Sequence, residues 1–248
     1  KSTLTNALLK KERMIVTPIA GTTRDAVDVD IKYYGQNITL VDTAGMRKLA
    51  KIKDKVEYYS LLRTKNAIDR SNVVLVIIDA EKGFGKQDKR IVDEVIAKGK
   101  GLILIVNKWD LVNKSTNTMK NYQQTIQSHF KSIVNYPVLF ISALTKQRIH
   151  KVLDLSWKVY EKGQNMLPTN ILNKTLKDII SRNTPPFIKG KTLDVKYVSQ
   201  VSCEPTVIAL YTSSPKSINI TYQRYLENSL RKSFDLKGIP IRLSFRKK

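Results

Sequence analysis

Leu4, Ala7 and Leu8 recur at helical spacing at the start of the chain and predict an amphipathic helix there. Further on, the period changes to that of strands. AVDVDIKYY (26–34) alternates apolar and polar residues, which predicts a half-exposed or edge strand. NITLVD (37–42), NVVLVIID (72–79), GLILIVNK (101–108) and YPVLFISA (136–143) are short continuous apolar runs, the pattern of strands covered on both faces. Helical stretches lie between them at 53–69, 86–99, 118–134 and 148–162. Strands alternating with helices predict an α/β unit with a mostly parallel sheet, helices on both faces and right-handed crossovers.

The pattern shifts near 164–167. Pro168 precedes a helix with Leu172, Leu176, Ile179 and Ile180 on one face, and NTPPFIKGK reads as a loop because of its adjacent prolines. Strand-like runs follow at 193–200 and 206–213. Next comes a helix carrying Tyr222, Tyr225, Leu226, Leu230 and Phe234 on one face, with Gly238 placed to end it, then a strand at 239–245. The expected domains are therefore 1–164 and a small α+β unit at 165–248.

Composition narrows the function classes. The 248 residues fit one or two domains, and no apolar run approaches the length of a membrane span. A single cysteine, Cys203, excludes an internal disulfide framework and fits a reducing cytoplasm. With only His129 and His150 beside it, a zinc site is not expected. The net charge of +23 points either to a polyanion such as RNA or to a lysine-rich codon bias spread along the chain.

The chemistry gathers at strand ends. The first apolar run (37–42) ends in Asp42-Thr43-Ala44-Gly45. A carboxylate there suits water-mediated holding of Mg²⁺ beside phosphates, and Gly45 admits a phosphate close to the backbone; an ordinary strand–turn is the alternative. Run 101–108 leads into Asn107-Lys108-Trp109-Asp110. One carboxylate at Asp110 can accept both the ring N1–H and the amino group of guanine, a donor pair that adenine lacks. Asn107 can bond the guanine edge and tie loops together, and the Lys108 stem can cover a purine face while its ammonium stays wet. Run 136–143 ends in Ser142 and Ala143, small enough for backbone N–H groups to approach guanine O6.

Two weaker signals lie upstream. Thr22 or Thr23 in IAGTTRDAV can offer a hydroxyl to Mg²⁺, though Gly-Thr-Thr is also an ordinary loop. Lys1-Ser2-Thr3 is either a plain helix start with Ser2 or Thr3 as N-cap, or the end of a phosphate loop G-x-x-x-x-G-K-[ST]. The ordered series Lys-Ser, Thr-Thr, Asp-Thr-Ala-Gly, Asn-Lys-x-Asp, Ser-Ala favours the phosphate loop.

With these motifs, residues 1–163 resemble a P-loop GTPase of the translation-factor-related class. GTTRDAVD, DTAGMRKLAKI, VNKWDLV and the ending YQRYLENSLRKSFDLKGIPIRLSFRKK resemble the Der (EngA) family of bacterial tandem GTPases that assemble ribosomes. The resemblance implies a second GTPase domain, beginning inside its phosphate loop, followed by a KH-like domain. It further implies GTP/GDP with Mg²⁺, and a potassium ion held partly by an upstream Asn. Lys1 would meet the β- and γ-phosphates, Ser2 Mg²⁺, and Thr3 the α-phosphate. Thr22 or Thr23 would sense the γ-phosphate in the first switch, and Asp42 and Gly45 in the second. Asn107, Lys108, Asp110, Ser142 and Ala143 would hold guanine. Met46 stands where Ras-like proteins carry a water-orienting Gln, and a thioether cannot orient water, so no catalytic residue is assigned.

No G-x-x-G occurs after residue 164, as in Der and unlike the KH domain of Era. The implied partner is the large ribosomal subunit and its RNA, without DNA or a membrane span, for a cytoplasmic monomer. Two function classes stay open: a GTP-hydrolysing switch in large-subunit assembly, and a non-enzymatic RNA- or ribosome-binding fragment that has lost nucleotide binding because the glycine loop is missing.

Overall fold

The computed structural model describes residues 2–9, 15–18, 28–41, 56–113, 115–184, 195–215 and 218–247. Helix α1 (Ser2–Leu9) buries Leu4 and Leu8, the expected stripe. Strands β1 (Ile15–Pro18), β2 (Val29–Tyr33) and β3 (Gln36–Leu40) form an antiparallel sheet in that order. After α2 (Val56–Arg70) come β4 (Val73–Asp79), α3 (Lys86–Lys98), β5 (Gly101–Asn107), α4 (Thr118–His129), a 3₁₀ turn (Lys131–Asn135), β6 (Val138–Phe140) and α5 (His150–Gln164). Strands β4, β5 and β6 are parallel, with β5 in the centre. Leu102 to Val106 are fully buried, because helices cover both faces of this strand.

Three expectations need correction. The run 37–42 was expected to be covered on both faces, but in β3 Gln36, Asn37 and Thr39 are exposed. Only Ile38 and Leu40 pack on the core, because the Tyr34–Gly35 turn folds β3 back on β2 as a hairpin. Of the two alternatives for the alternating run 26–34, the edge strand falls, since β2 is central in its sheet, and the half-exposed strand holds, with Val29, Ile31 and Tyr33 buried as the alternation requires. The helix expected over 118–134 ends at His129, where the chain tightens into the 3₁₀ turn. Strand β1 carried no separate signal in the sequence.

The second unit comprises α6 (Thr169–Arg182), β7 (Val195–Cys203), β8 (Thr206–Thr212), α7 (Ile220–Ser233) and β9 (Ile241–Lys247). β8 lies between antiparallel β7 and parallel β9. Asn219 caps α7 by accepting the Tyr222 N–H at 2.8 Å. Leu172, Leu176 and Ile179 of α6 and Tyr222, Leu226 and Leu230 of α7 are buried against the sheet.

The two units meet along a bonded seam. The Gly238 N–H donates to the Asn135 carbonyl and the Leu102 N–H donates to the Gly238 carbonyl, both at 2.8 Å. Arg231 is buried; its guanidinium donates to Glu227 and to the carbonyls of Leu236 and Ile239, and lies over the Tyr136 ring, 5.7 Å from its centre. Burial pushes the Tyr136 hydroxyl up to about 12, so it stays neutral beside this cation. The segment after α7 is thus hydrogen-bonded both to the end of the 3₁₀ turn and to the start of β5.

Candidate guanine-nucleotide site

The guanine-holding candidates gather at the opposite, carboxyl end of β5. Asn107 is its last residue and sits in register with Asp79, the last of β4. Its backbone carbonyl accepts the Ala80 N–H at 2.9 Å, and its side-chain carbonyl accepts the Ala143 N–H at 2.9 Å. Asn107 therefore clamps the loops after β4 and β6 to the end of β5, the loop-tying role expected of it.

Lys108 then turns the chain sharply, with φ of +65°, in the left-handed region. A non-glycine residue there costs about 1–2 kcal/mol, and its neighbours hold it in place. The Trp109 N–H donates to the Ile141 carbonyl at 3.0 Å, and the Leu111 N–H to the Lys108 carbonyl at 3.1 Å. Trp109 is buried against Phe140 and Tyr122, at ring-centre distances of 4.4 and 5.5 Å. This aromatic wedge fixes the turn, so the residue at the x position of Asn-Lys-x-Asp is a positioning residue that the motif alone did not mark.

The turn leaves Asp110 with one carboxylate oxygen, Oδ1, buried and without a hydrogen-bond partner. An unpaired buried acceptor is costly and calls for a donor. Guanine N1–H and its amino group are donors of the required kind, so the residues present fit the base.

The Lys108 ammonium is not simply wet. It bonds Asp79 at 2.7 Å and lies 3.7 Å from Glu81. The bond from Lys108 holds the Asp79 carboxyl below the usual carboxylate range, and the same bond holds Lys108 above the usual lysine range. Asp79 also accepts the Glu81 N–H at 3.0 Å. Asp79 and Glu81 escaped the sequence reading, although Asp79 ends an apolar run in the same manner as Asp42.

Ser142 and Ala143 lie beside Asn107, but their N–H groups are engaged within the chain. Ser142 N–H donates to the Gln147 carbonyl at 3.2 Å, and Ala143 N–H to Asn107. The Ser142 hydroxyl accepts the Thr145 N–H at 3.1 Å. Ser142 is thus a buried loop-former, and a guanine carbonyl would have to share the Ala143 N–H with Asn107.

Ser2 opens α1 and Thr3 is exposed in its first turn. Lys1, Thr22, Thr23, Asp42 and Gly45 lie outside the described residues. Among the described residues, no cluster of His, Cys, Asp and Glu could hold a metal and no helix is long and apolar enough to cross a membrane.

Comparison with known proteins adds to this geometry. Residues 1–108 match the family model for the 50S ribosome-binding GTPase, and residues 167–246 match the KH-domain-like C-terminal model of EngA bacterial GTPases. GTPase Der of Amoebophilus asiaticus is 44% identical over 248 residues, covering 100% of this chain and 57% of that protein. GTPase Der of Streptococcus pneumoniae strain Hungary19A-6 is 42% identical over 249 residues, again with 100% and 57% coverage. The chain therefore spans a little over half the length of these curated relatives. A structure of Era in complex with MgGDPNP and nucleotides 1506–1542 of 16S ribosomal RNA aligns with a TM-score of 0.48 and 19% identity, covering 100% of this chain and 88% of that one. The chain thus matches a GTPase model in its first part and the EngA-type KH-like model in its last, and along its whole length it is similar to GTPase Der proteins.

Proposed function

We propose that this chain forms the guanine-nucleotide-binding and KH-like part of a GTP-hydrolysing switch that acts in assembly of the large ribosomal subunit. The observation that carries the nucleotide half is the buried, unpartnered Asp110 Oδ1 beside the Asn107 clamp. In this reading Asp110 selects guanine, Asn107 holds the base edge and the loops, and Lys108, anchored on Asp79, lays its stem along the purine. Lys1 neutralises the β- and γ-phosphates, with Thr3 near the α-phosphate. Ser2, Thr22 or Thr23, and Asp42 offer hard oxygen donors of the kind Mg²⁺ prefers, and that ion would supply charge neutralisation on the phosphates. Thr22, Thr23 and Gly45 would report the γ-phosphate to the rest of the molecule. No residue of this chain is assigned to a potassium ion.

The ribosome half rests on the family match and on the net charge of +23. Lys and Arg contacts to phosphates release counterions, so affinity should fall steeply with salt. The test is co-sedimentation with large ribosomal subunits at rising salt, with GDP and with a non-hydrolysable GTP analogue. Lys1-Ser2 needs a glycine loop ahead of it, so the nucleotide arms use a polypeptide that includes one. Salt-sensitive binding favoured by the GTP analogue is expected. Binding indifferent to both salt and nucleotide would leave the charge as codon bias and remove the ribosome from the proposal.

A further inference from the structure

The sheet β7–β8–β9 has a face that the nucleotide site does not use. On its other face Val198, Ile208 and Leu210 are buried in the core, with Leu243 and Phe245 packed against them. On the free face the register sets Tyr197 opposite Tyr211, and Tyr211 opposite Arg246. The two rings lie 5.7 Å apart, tilted by 42°. Tyr197 is 40% exposed, and Arg246 and the neighbouring Lys196 are exposed, whereas Lys247, in register with buried Thr212, belongs to the other face. The next row, about 7 Å along the strands, is Ser199, Ala209 and Ser244, all small. The result is a tyrosine pair with Arg246 at its edge, beside a row of small residues whose centre, Ala209, is fully buried; further along the same face Arg242 donates to the Ala97 carbonyl. No acidic residue occurs within β7, β8 or β9.

This arrangement suits one kind of partner. Exposed aromatic rings on a sheet stack unpaired bases, and adjacent cations follow the backbone phosphates. A duplex hides its base faces and offers the rings nothing. The chain also lacks a G-x-x-G loop after residue 164, so a KH-type backbone clamp is not available to do this work.

We propose that the free face of β7–β8–β9 binds single-stranded RNA, with bases stacked on Tyr197 and Tyr211 and phosphates on Arg246. The inference rests on the reading that this chain contacts RNA, and it adds where and in which form. A cross-strand tyrosine pair also stabilises its hairpin, so the test must separate packing from stacking.

The 248-residue chain is titrated by fluorescence anisotropy with a short labelled oligo(A) RNA and with an RNA duplex of equal length, at two salt concentrations. Replacing both tyrosines (Tyr197→Leu, Tyr211→Leu) should weaken oligo(A) binding about 10- to 100-fold and spare the duplex. The paired Tyr197→Phe, Tyr211→Phe variant should bind as wild type, because phenylalanine keeps the stacking face. Arg246→Glu should weaken both ligands and reduce the salt slope by about one. Thermal midpoints are measured alongside; if the leucine pair does not fold, the phenylalanine pair and Arg246→Glu decide. A leucine pair that binds oligo(A) like wild type or loses oligo(A) and duplex equally, a phenylalanine pair that loses affinity, or an Arg246→Glu chain with wild-type binding would each overturn the proposal. So would unaltered oligo(A) affinity combined with lost co-sedimentation with large subunits, which would assign the face to a protein partner. A wild-type chain that binds neither RNA at either salt would bring down the RNA reading itself.

Discussion

The side chain of Asn107 accepts the backbone N–H of Ala143 at 2.9 Å, across 36 residues of sequence. That bond joins the carboxyl end of β5 to the loop after β6, so the chain itself braces the place proposed for the base. Asn107→Ala would strand a partly buried N–H, at a cost of about 1–3 kcal/mol. Asn107→Asp keeps an acceptor for Ala143 but loses the amide donors. The alanine variant should therefore lose stability in urea denaturation while the aspartate variant loses much less. Both should bind GDP poorly in a polypeptide that includes the glycine loop. An alanine variant as stable as wild type would show that the brace contributes nothing.

Asp110 Oδ1 is buried and unpartnered, so its environment asks for a donor. Asp110→Asn would present an amide to a base offering two donors. Sites built on such bonds discriminate by roughly 10⁴-fold, and GTP affinity should fall toward that extent. Xanthine carries a carbonyl in place of the guanine amino group, so xanthosine triphosphate should gain. Titrating both nucleotides against both proteins checks this. Equal GTP affinity in mutant and wild type would remove Asp110 from the site.

The Lys108–Asp79 bond has a definite pH signature. Asp79 is shifted down, so its stabilising contribution is full above its unfolded pKa and is lost as pH falls through the lowered folded value. Lys108 is shifted up, so its contribution is full below its unfolded pKa and is lost as pH rises through the raised one. The thermal midpoint difference between wild type and Asp79→Asn should be flat from about pH 5 to about pH 9 and shrink at both extremes. Both side chains are partly exposed, so added salt should reduce the plateau. A difference that grows on acidification would show that Asp79 acts through something other than this pair.

The strands that position the candidate site are legible in the sequence. The apolar runs at 72–79 and 101–108 became β4 and β5 because continuous apolar character is what a doubly covered strand requires. Asn107, Asp110 and Ala143 were marked by residue type at strand ends. What escaped were partners that exist only through folding. The Lys108 ammonium was expected to stay in water, and nothing local reveals that Asp79, on another strand, ends level with Asn107 and pairs with that ammonium. Trp109 occupies a position the motif leaves open, and its role depends on Phe140 and Tyr122 arriving from distant segments. The run 37–42 misled because its apolar content is the same for a covered strand and for a one-sided hairpin; the Tyr34–Gly35 turn decides between them.

The seam between the two units yields the last prediction. Gly238 has φ of +93°, and a Cβ there would stand 2.8 Å from Val159 Cγ2 and 3.3 Å from Pro137 Cδ. Gly238→Ala should therefore disturb both backbone bonds that tie it to Asn135 and Leu102, costing about 1–3 kcal/mol. Arg231 holds the same segment through the carbonyls of Leu236 and Ile239. Arg231→Met leaves those carbonyls without their charged donor, again costing about 1.5–3 kcal/mol. Because both residues act on one segment, the double variant should lose less than the sum of the single losses. Calorimetry should show a single transition in wild type and two in the double variant, as the KH-like unit undocks. The guanine end of β5 is braced separately by Asn107, so GDP affinity should change by less than about twofold. Strictly additive losses would show that Arg231 does not act through the Gly238 segment. A large fall in GDP affinity would show that β5 carries strain from the seam to the nucleotide site.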